Sequence, residues 1–368
     1  MTLLRCYYDH IDGGEWGKMA QTTNVVIKEE KLRGWCIQVL KKGCGVSDEY
    51  AFTVTDALVS ANLRGIDSHG VNLIHFYVRR YRNTEHTDIR ITGDMPAFCH
   101  IDGGGQMGPV VSVFAMNKAI EKAAVLGVGM VLVENSSHFG AAGYYSCLAA
   151  KKGFIGFSTT SAYRGMTPWG GLECFIGNNP ISVTFPWREF PIMLDMSTSV
   201  IARNKVINYA REGWPLAEDW ATDEEGNSTT DAKKALNGFL QPVGKHKGVG
   251  IAVMIDLILG AITHSHQYSR GIVPNLNPEG KQNVPHFFMA IKPDCFISKE
   301  EIETVMEKYV ADFHQVKRMK DIDRLYLPGE IEFIREQERR EKGIPLTNAL
   351  VKELNEFSAE CGAEPLLV

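Results

Sequence analysis

The chain of 368 residues carries 44 acidic against 39 basic residues, a formal net charge of −5, and is 23% charged. This length exceeds the usual span of one hydrophobic core and implies roughly two domains, and the weakly acidic balance excludes a nucleic-acid or anionic-membrane surface. The eight cysteines (Cys6, Cys36, Cys44, Cys99, Cys147, Cys174, Cys295, Cys361) form no Cys-x-x-Cys pair, which argues against a zinc ribbon, a redox motif or a disulfide framework and fits a reducing, cytosolic compartment.

Residues 1 to 22, through Tyr7, Tyr8 and Trp16, lack the apolar run of a signal peptide and read as a flexible N-terminal extension, with Met19 as an alternative start. The first organised block is helical: Leu32, Trp35, Cys36, Val39 and Leu40 recur at helical spacing over 27 to 43, and Ser47-Asp48-Glu49 opens a second helix through Leu63. Ser68 and His69 follow that helix end, and a further helix spans about 71 to 81. After a Gly-rich stretch at 103 to 108, strands alternate with helices as far as about residue 300. The strands are Gly129 to Val133, Ile155 to Ser158, Ile181 to Phe185, Pro191 to Asp195 and His286 to Ile291, which together predict an α/β or mixed-sheet domain. From Lys299 the tail is helical and charged, with Glu336, Glu338, Arg339, Arg340 and Glu341 on a solvated surface. No later run is long and apolar enough to span a membrane.

Two loops carry the candidate chemistry, Arg64-Gly65-Ile66-Asp67-Ser68-His69-Gly70 and Glu134-Asn135-Ser136-Ser137-His138-Phe139-Gly140. Each holds a histidine among small polar residues and ends in glycine. An imidazole titrating near ~6.5 exchanges protons near neutrality, Ser, Asn and Asp set its tautomer, and glycine lets a ligand approach the backbone. The same residue types also serve as ordinary cap and turn chemistry. Gly103-Gly104-Gly105-Gln106-Met107-Gly108 satisfies the dinucleotide pattern G-x-G-x-x-G, but the strand before it is weak and a Gly-rich turn into a helix has structural uses of its own.

A more informative set runs through Pro168-Trp169-Gly170-Gly171, Gly177-Asn178-Asn179-Pro180, Asp195-Met196-Ser197-Thr198-Ser199 and Gly244-Lys245-His246-Lys247-Gly248, where backbone N–H groups, hydroxyls and lysines are available to a phosphorylated ligand. Asp195, at the end of an apolar strand, is the carboxylate that would pair with a histidine, or else cap the next helix. His264 and His266 have no third ligand at metal-site spacing and read as a surface turn.

The order of Asp67-Ser68-His69-Gly70, Asn135-Ser136-Ser137-His138-Phe139-Gly140, Pro168-Trp169-Gly170-Gly171, Asn178-Asn179-Pro180, Asp195-Met196-Ser197-Thr198-Ser199, Lys247-Gly248 and the closing Pro328-Gly329-Glu330 with Glu338-Arg339-Arg340 resembles the type-2 malate/L-lactate dehydrogenase family over roughly residues 25 to 360. That family also holds ureidoglycolate and sulfolactate dehydrogenases and cyclic-imino acid reductases. The resemblance implies a non-Rossmann, mixed-sheet NAD(P)-binding α/β domain over 101 to 299. A helical substrate domain would be built from 23 to 100 together with 300 to 368, in a homodimer. The glycine pattern would then be a false positive.

By the matched motifs, His69 would be the general acid/base beside Ser68, with Asp195 as its orienting partner. His138 would share or take over that role, and Ser68, Tyr77 and His138 would line the substrate pocket. Ser161, Asp195, Met196, Ser197, Lys247, Gly329 and Glu330 would line the cofactor site, which takes NAD or NADP. Many members carry arginine four residues after the first histidine, where this chain has Leu73, so another cation substitutes or the substrate is oriented differently. Asn204 replaces a common glycine. The expected activity is a cytoplasmic 2-hydroxy acid dehydrogenase, malate ahead of lactate, with no metal, nucleic-acid or membrane partner. The alternatives are a lactate, sulfolactate or ureidoglycolate dehydrogenase, an NADPH-dependent 2-oxo or cyclic-imino acid reductase, and, in another class, a metal-dependent hydrolase using His69, His138 and Asp195.

Overall fold

The computed structural model describes residues 24–188, 190–263, 268–274, 277, 280–320 and 322–366. The N-terminal extension and the His264/His266 turn lie outside the described residues.

Strand β1 (Asn24–Ile27) leads into helices α1 (Glu29–Cys44) and α2 (Asp48–Leu63), two short 3-10 turns (Asp67–His69 and Val71–Leu73) and α3 (Ile74–Arg82). The acidic first turn and basic last turn of α1 complement its dipole, Gly45 closes it at φ 67°, and the Ser47 hydroxyl caps α2 by accepting from Tyr50 N–H at 3.2 Å. From the far end of the chain β11 (Ile344–Thr347) pairs antiparallel with β1, and α11 (Asn348–Glu360) follows directly. Leu32, Trp35, Val39, Leu58 and Ile74 share one core with Ile344, Leu354 and Phe357, and Trp35 Nε1–H donates to Ser358 Oγ at 2.9 Å. At about 1.5–3 kcal/mol for each fully buried aliphatic side chain, that core ties the two chain ends together.

The sheet runs in the order β2 (Arg90–Asp94), β3 (Phe98–Asp102), β4 (Val128–Ser136), β10 (Val284–Ile291), β5 (Ile155–Thr160), β8 (Ile181–Phe185), β9 (Ile192–Met196). Only β3 and β4 run parallel among these neighbours, and every other pair is antiparallel. On one face Val131, Val133 and Phe288 pack under α4 (Gly108–Leu126) and α5 (Ala142–Ala150). Leu132, pointing the other way by the period-2 rule, meets Ile255 and Leu259 of α8 (His246–Ile262). A further cluster unites β6 (Arg164–Met166) and β7 (Ile176–Gly177) with α6 (Arg203–Glu212) and α7 (Ala232–Asn237), through Met166, Ile176, Val206, Ala235 and Leu240. The mixed, largely antiparallel sheet is the α/β arrangement expected from the motifs, and it differs from a doubly wound nucleotide fold.

Helix α9 (Lys299–Gln315), opened by a Ser298/Glu301 capping box, buries no side chain, while α10 (Glu330–Lys342) contacts α2 and β11. The terminal core therefore draws on 344 to 366 rather than on the whole tail from 300. The Gly103 to Gly108 turn joins β3 to α4, where a dinucleotide fingerprint belongs. Its amides, however, are spent internally: Gly103 N–H and Gly105 N–H donate to Glu134 O and Asn135 O at 2.9 and 2.7 Å, and Gly104 N–H donates to Asp102 Oδ1 at 2.9 Å. These glycines hold a turn against the end of β4 and leave no amide nest for a pyrophosphate.

Candidate active site

The first histidine loop is built from α2 outward. Asn62 Oδ1 accepts from Val71 N–H at 2.8 Å and its Nδ2 donates to Asp67 Oδ1 at 2.6 Å, bridging both sides of the Ser68-His69 turn. Arg339, from the last turn of α10, grips Asp67 with two bonds of 2.7 and 3.0 Å and also donates to Asn62 O. This bidentate fork gives the loop geometric definition as well as charge pairing. A side chain at Gly70 would overlap the Asn62 amide, so the bridge needs glycine there. Within the held turn, Ser68 Oγ lies 2.9 Å from His69 Nδ1, leaving Nε2 toward the site.

The second loop follows β4. Ser137 Oγ accepts from Gly108 N–H at 2.9 Å, binding the loop to the first turn of α4, and Gln282 Oε1 accepts from His138 N–H at 2.9 Å. His138 Nδ1 meets the Tyr77 hydroxyl at 3.1 Å and the Gly140 amide at 3.4 Å. The two imidazoles stack with centroids 5.9 Å apart and planes 11° from parallel, and Phe76 meets His138 edge-on at 5.6 Å. Both histidines are half-buried, whereas Tyr77 is 1% exposed. Ser68, His69, Tyr77 and His138 thus converge although the chain places them in separate elements.

Asp195 does not join them through a hydrogen bond. Its Oδ2 accepts from Gly143 N–H at 2.8 Å, in the first turn of α5, the helix that begins four residues after His138. The expected carboxylate–imidazole pair is replaced by a carboxylate–helix pair, because the amide end of α5 faces the end of β9 and offers both a donor and a favourable dipole. Hydroxyls do the orienting instead, Ser68 for His69 and Tyr77 for His138. Leu73, in place of the usual arginine, packs into the terminal core beside Val71 and Ile74.

The cofactor candidates divide. Met196 ends β9 and Ser197 follows it, and the segment after them runs beside 242 to 248: Val243 N–H donates to Thr198 O at 2.8 Å, and Gly248 N–H donates to Val243 O at 2.9 Å in the first turn of α8. Lys247 is exposed at that helix end. Gly329, at φ 84°, packs on β9 where Pro328 O accepts from Met193 N–H at 2.9 Å. Glu330 is turned inward: it is buried and accepts from Leu327 N–H at 2.9 Å, from His314 Nε2 at 3.2 Å and from Arg324. Ser161 is buried as well, beside a network in which Asp256 Oδ1 accepts from Ser269 Oγ at 2.7 Å and from Asn179 Nδ2 at 3.0 Å. Glu330 thus holds structure together through carboxylate oxygens that a ligand would otherwise meet, whereas the buried Ser161 hydroxyl has no hydrogen-bond partner of ordinary geometry among the described residues. Sequence reading missed Arg339, Asn62 and Gln282 as supports of the histidine loops: Arg339 and Gln282 reach their partners from 272 and 144 positions away in the chain, and Asn62, although only five and nine positions from its partners, sits inside a helix where it reads as an ordinary helical residue.

Burial holds the His69 imidazole down to about 4. Burial, then the neighbouring rings of His69 and His286, hold His138 down to about 3. His286 is enclosed in the sheet, where it bonds Thr160 Oγ1 at 2.7 Å and Ser136 Oγ at 2.9 Å, and burial holds it down to about 3. Asp195 goes the other way, pushed up to about 6 by burial, with the Gly143 amide and Arg64 opposing. The unfolded chain binds the three histidine protons near ~6.5 and the folded chain does not, so this stability is full above 6.5 and is lost as pH falls toward 4. The Asp195 contribution has the opposite sign, present below about 3.8 and lost as pH rises through about 6. Thermal midpoints are expected to fall between pH 6.5 and 4, and to fall more steeply in Asp195→Asn; equal slopes in the two proteins would contradict the buried carboxyl.

The family profile described as malate/L-lactate dehydrogenase matches residues 27–355. A malate dehydrogenase of Pyrococcus horikoshii is 35% identical over 351 residues, covering 92% of this chain and 96% of that protein. A solved structure of malate dehydrogenase from Pyrococcus horikoshii OT3 superposes with a TM-score of 0.85 at 32% identity, covering 93% of this chain and 97% of that one. An L-sulfolactate dehydrogenase of Methanocaldococcus jannaschii is 35% identical (92% and 98% covered), and a ureidoglycolate dehydrogenase (NAD(+)) of Escherichia coli is 28% identical (84% and 89% covered). With the profile and these relatives spanning nearly the whole described chain, the protein is an oxidoreductase that belongs to the malate/L-lactate dehydrogenase family.

Proposed function

We propose that the chain is an NAD(P)-dependent dehydrogenase interconverting a 2-hydroxy acid and its 2-oxo acid, with malate and oxaloacetate as the preferred pair. The observation that carries this reading is the stacked His69–His138 pair, each ring tethered through Nδ1 and open at Nε2. Alcohol oxidation needs an unprotonated base, and His69, kept neutral by burial, fills that role by taking the substrate hydroxyl proton at Nε2 and giving one back in the reverse direction. Malate stands first because the Pyrococcus relative bears that name. In addition, its second carboxylate offers another handle where Leu73 supplies no charge.

The cofactor site has features that suit a dinucleotide. Thr198 Oγ1 is buried without a hydrogen-bond partner among the described residues, next to the amide end of α8, and Lys245 and Lys247 flank that end. Met196, Ser197 and Lys247 would hold the phosphates and ribose, with Gly329 closing the edge of β9 and Ser161 backing the floor. A bound nicotinamide supplies the hydride acceptor or donor. In this reading 101 to 299 form the cofactor domain, and 23 to 100 with 300 to 368 form the substrate domain. Among the described residues there is no group of three or more His, Cys, Asp or Glu placed to hold a metal ion, so the hydrolase alternative lacks its ligand set. The test follows 340 nm absorbance with NADH or NADPH against oxaloacetate, pyruvate, sulfopyruvate and a cyclic imino acid. Oxidation with oxaloacetate supports the assignment, and silence with every pair, together with no thermal shift on adding either cofactor, overturns it.

The working form in this proposal is a cytoplasmic homodimer. Ile251, Met254, Ile258 and Ile262 make an exposed apolar stripe along α8 at 41 to 59% exposure, more than a solvated helix tolerates alone. No helix among the described residues is long and apolar enough to cross a membrane, and the described cysteines are all free. Met254→Glu combined with Ile258→Glu is expected to convert a dimer into a monomer by light scattering; a dimer that survives both charges would place the interface elsewhere.

A further inference from the structure

The two stacked histidines are wired differently. Gly140 N–H and the Tyr77 hydroxyl both converge on His138 Nδ1, at 3.4 and 3.1 Å. An amide N–H has no lone pair and only donates, so Nδ1 must accept, and a neutral imidazole that accepts at one nitrogen carries its proton on the other. Tyr77 is 1% exposed and its hydroxyl has His138 as its hydrogen-bond partner, so its proton too points at Nδ1. At His69 the arrangement is reversed: Nδ1 faces Ser68 Oγ at 2.9 Å, a hydroxyl able to accept, and among the described residues no backbone N–H competes for it.

We infer that Tyr77 and the Gly140 amide lock His138 as the neutral Nε2–H tautomer, so that it acts as a hydrogen-bond donor to the substrate oxygen while His69 alone exchanges the proton. This assignment rests on the dehydrogenase reading for its catalytic meaning, but the tautomer itself is a property of the free protein. In the oxidative direction the substrate hydroxyl proton passes to His69 Nε2 as hydride leaves C2 for the nicotinamide, and His69 then releases that proton to water before the next turnover, while His138 keeps its own throughout. A neutral donor polarises a carbonyl without giving up a proton, and two rings with split roles explain why one site holds two histidines. The groups facing His138 agree: His69 from the first 3-10 turn, Phe76 and Tyr77 from α3, His286 from β10 and Gln282 before it, with no carboxylate among them. Burial with the His69 and His286 rings also holds its protonation to about 3.

The test uses the full chain with selectively ¹⁵N-labelled histidine, the His138 signals being assigned by their loss in His138→Gln. The expected result is a bare Nδ1 and a protonated Nε2 that do not change from pH 8 to pH 5, with no substrate or cofactor present. Tyr77→Phe should allow the ring to titrate at higher pH and should lower kcat about 10-fold, leaving KM for the 2-oxo acid within about 2-fold. His138→Gln, which keeps a neutral N–H donor, should retain at least ~10 times the kcat of His138→Ala, with the pH profile of the parent. A proton found on Nδ1, or a His138 that titrates near the ordinary imidazole range, overturns the inference whether or not the protein turns over. Equal kcat in the Gln and Ala variants would remove the donor role. Silence in the 340 nm panel with the tautomer as expected would instead count against the dehydrogenase reading alone.

Discussion

His69→Ala is expected to lower turnover by at least ~10²-fold while cofactor binding is retained, the effect of deleting a general acid/base. The loop around His69 is held by groups other than its ring. Asn62 bridges to Val71 and Asp67, and Arg339 pairs with Asp67 from α10. Truncating the imidazole therefore removes the proton acceptor and leaves the frame. Steady-state kcat, measured beside a fluorescence titration of the reduced cofactor, separates the two effects. Near-normal turnover in the variant would move the proton-transfer role to His138 or to water.

Gly108→Ala is expected to cost about 1–3 kcal/mol of stability and about 10²-fold in turnover at once. A methyl group at Gly108 would run into the backbone carbonyls of Ser137 and His138, and backbone cannot rotate aside. The loop must move, taking His138 with it, and a displacement of about 1 Å at a reacting group is enough for a loss of that size. Gly34→Ala is the matched control: the position lies in α1, with nothing within 4 Å of an added methyl, and should gain about 0.5–1 kcal/mol. Chemical denaturation of the pair checks the stability arm. A Gly108→Ala protein as stable and active as the parent would contradict the tight seating of the His138 loop on α4.

Helices with strong periodicity and caps were legible within a residue or two: the expected 27 to 43 and Ser47 to Leu63 became Glu29–Cys44 and Asp48–Leu63, the latter with Ser47 as its cap. Apolar strands such as Ile181–Phe185 were equally plain. The β1–β11 ladder was not, because four-residue segments more than 300 residues apart show no local sign that they pair. Helix α5, Ala-Gly-Tyr-Tyr-Ser-Cys-Leu-Ala-Ala, has no polar face to mark its period since it is buried between sheet and neighbours. At the site, motif order singled out His69, His138 and Tyr77, and the fold brings these three side chains together. Asp195 was read as a histidine partner because a strand-end carboxylate looks the same before the fold shows that a helix amide takes it. Glu330 likewise lies in a recognisable motif but turns inward to His314 and Arg324, a choice set by α10 packing.

The most direct test of the central claim is to incubate the purified protein with L-malate deuterated at C2 and an oxidised nicotinamide cofactor, and to determine by mass spectrometry where the deuterium goes. Direct oxidation of a 2-hydroxy acid at the His69–His138 site predicts deuterium in the reduced cofactor and none released to water. Absence of reduced cofactor, or deuterium appearing in solvent with none in the cofactor, would contradict it.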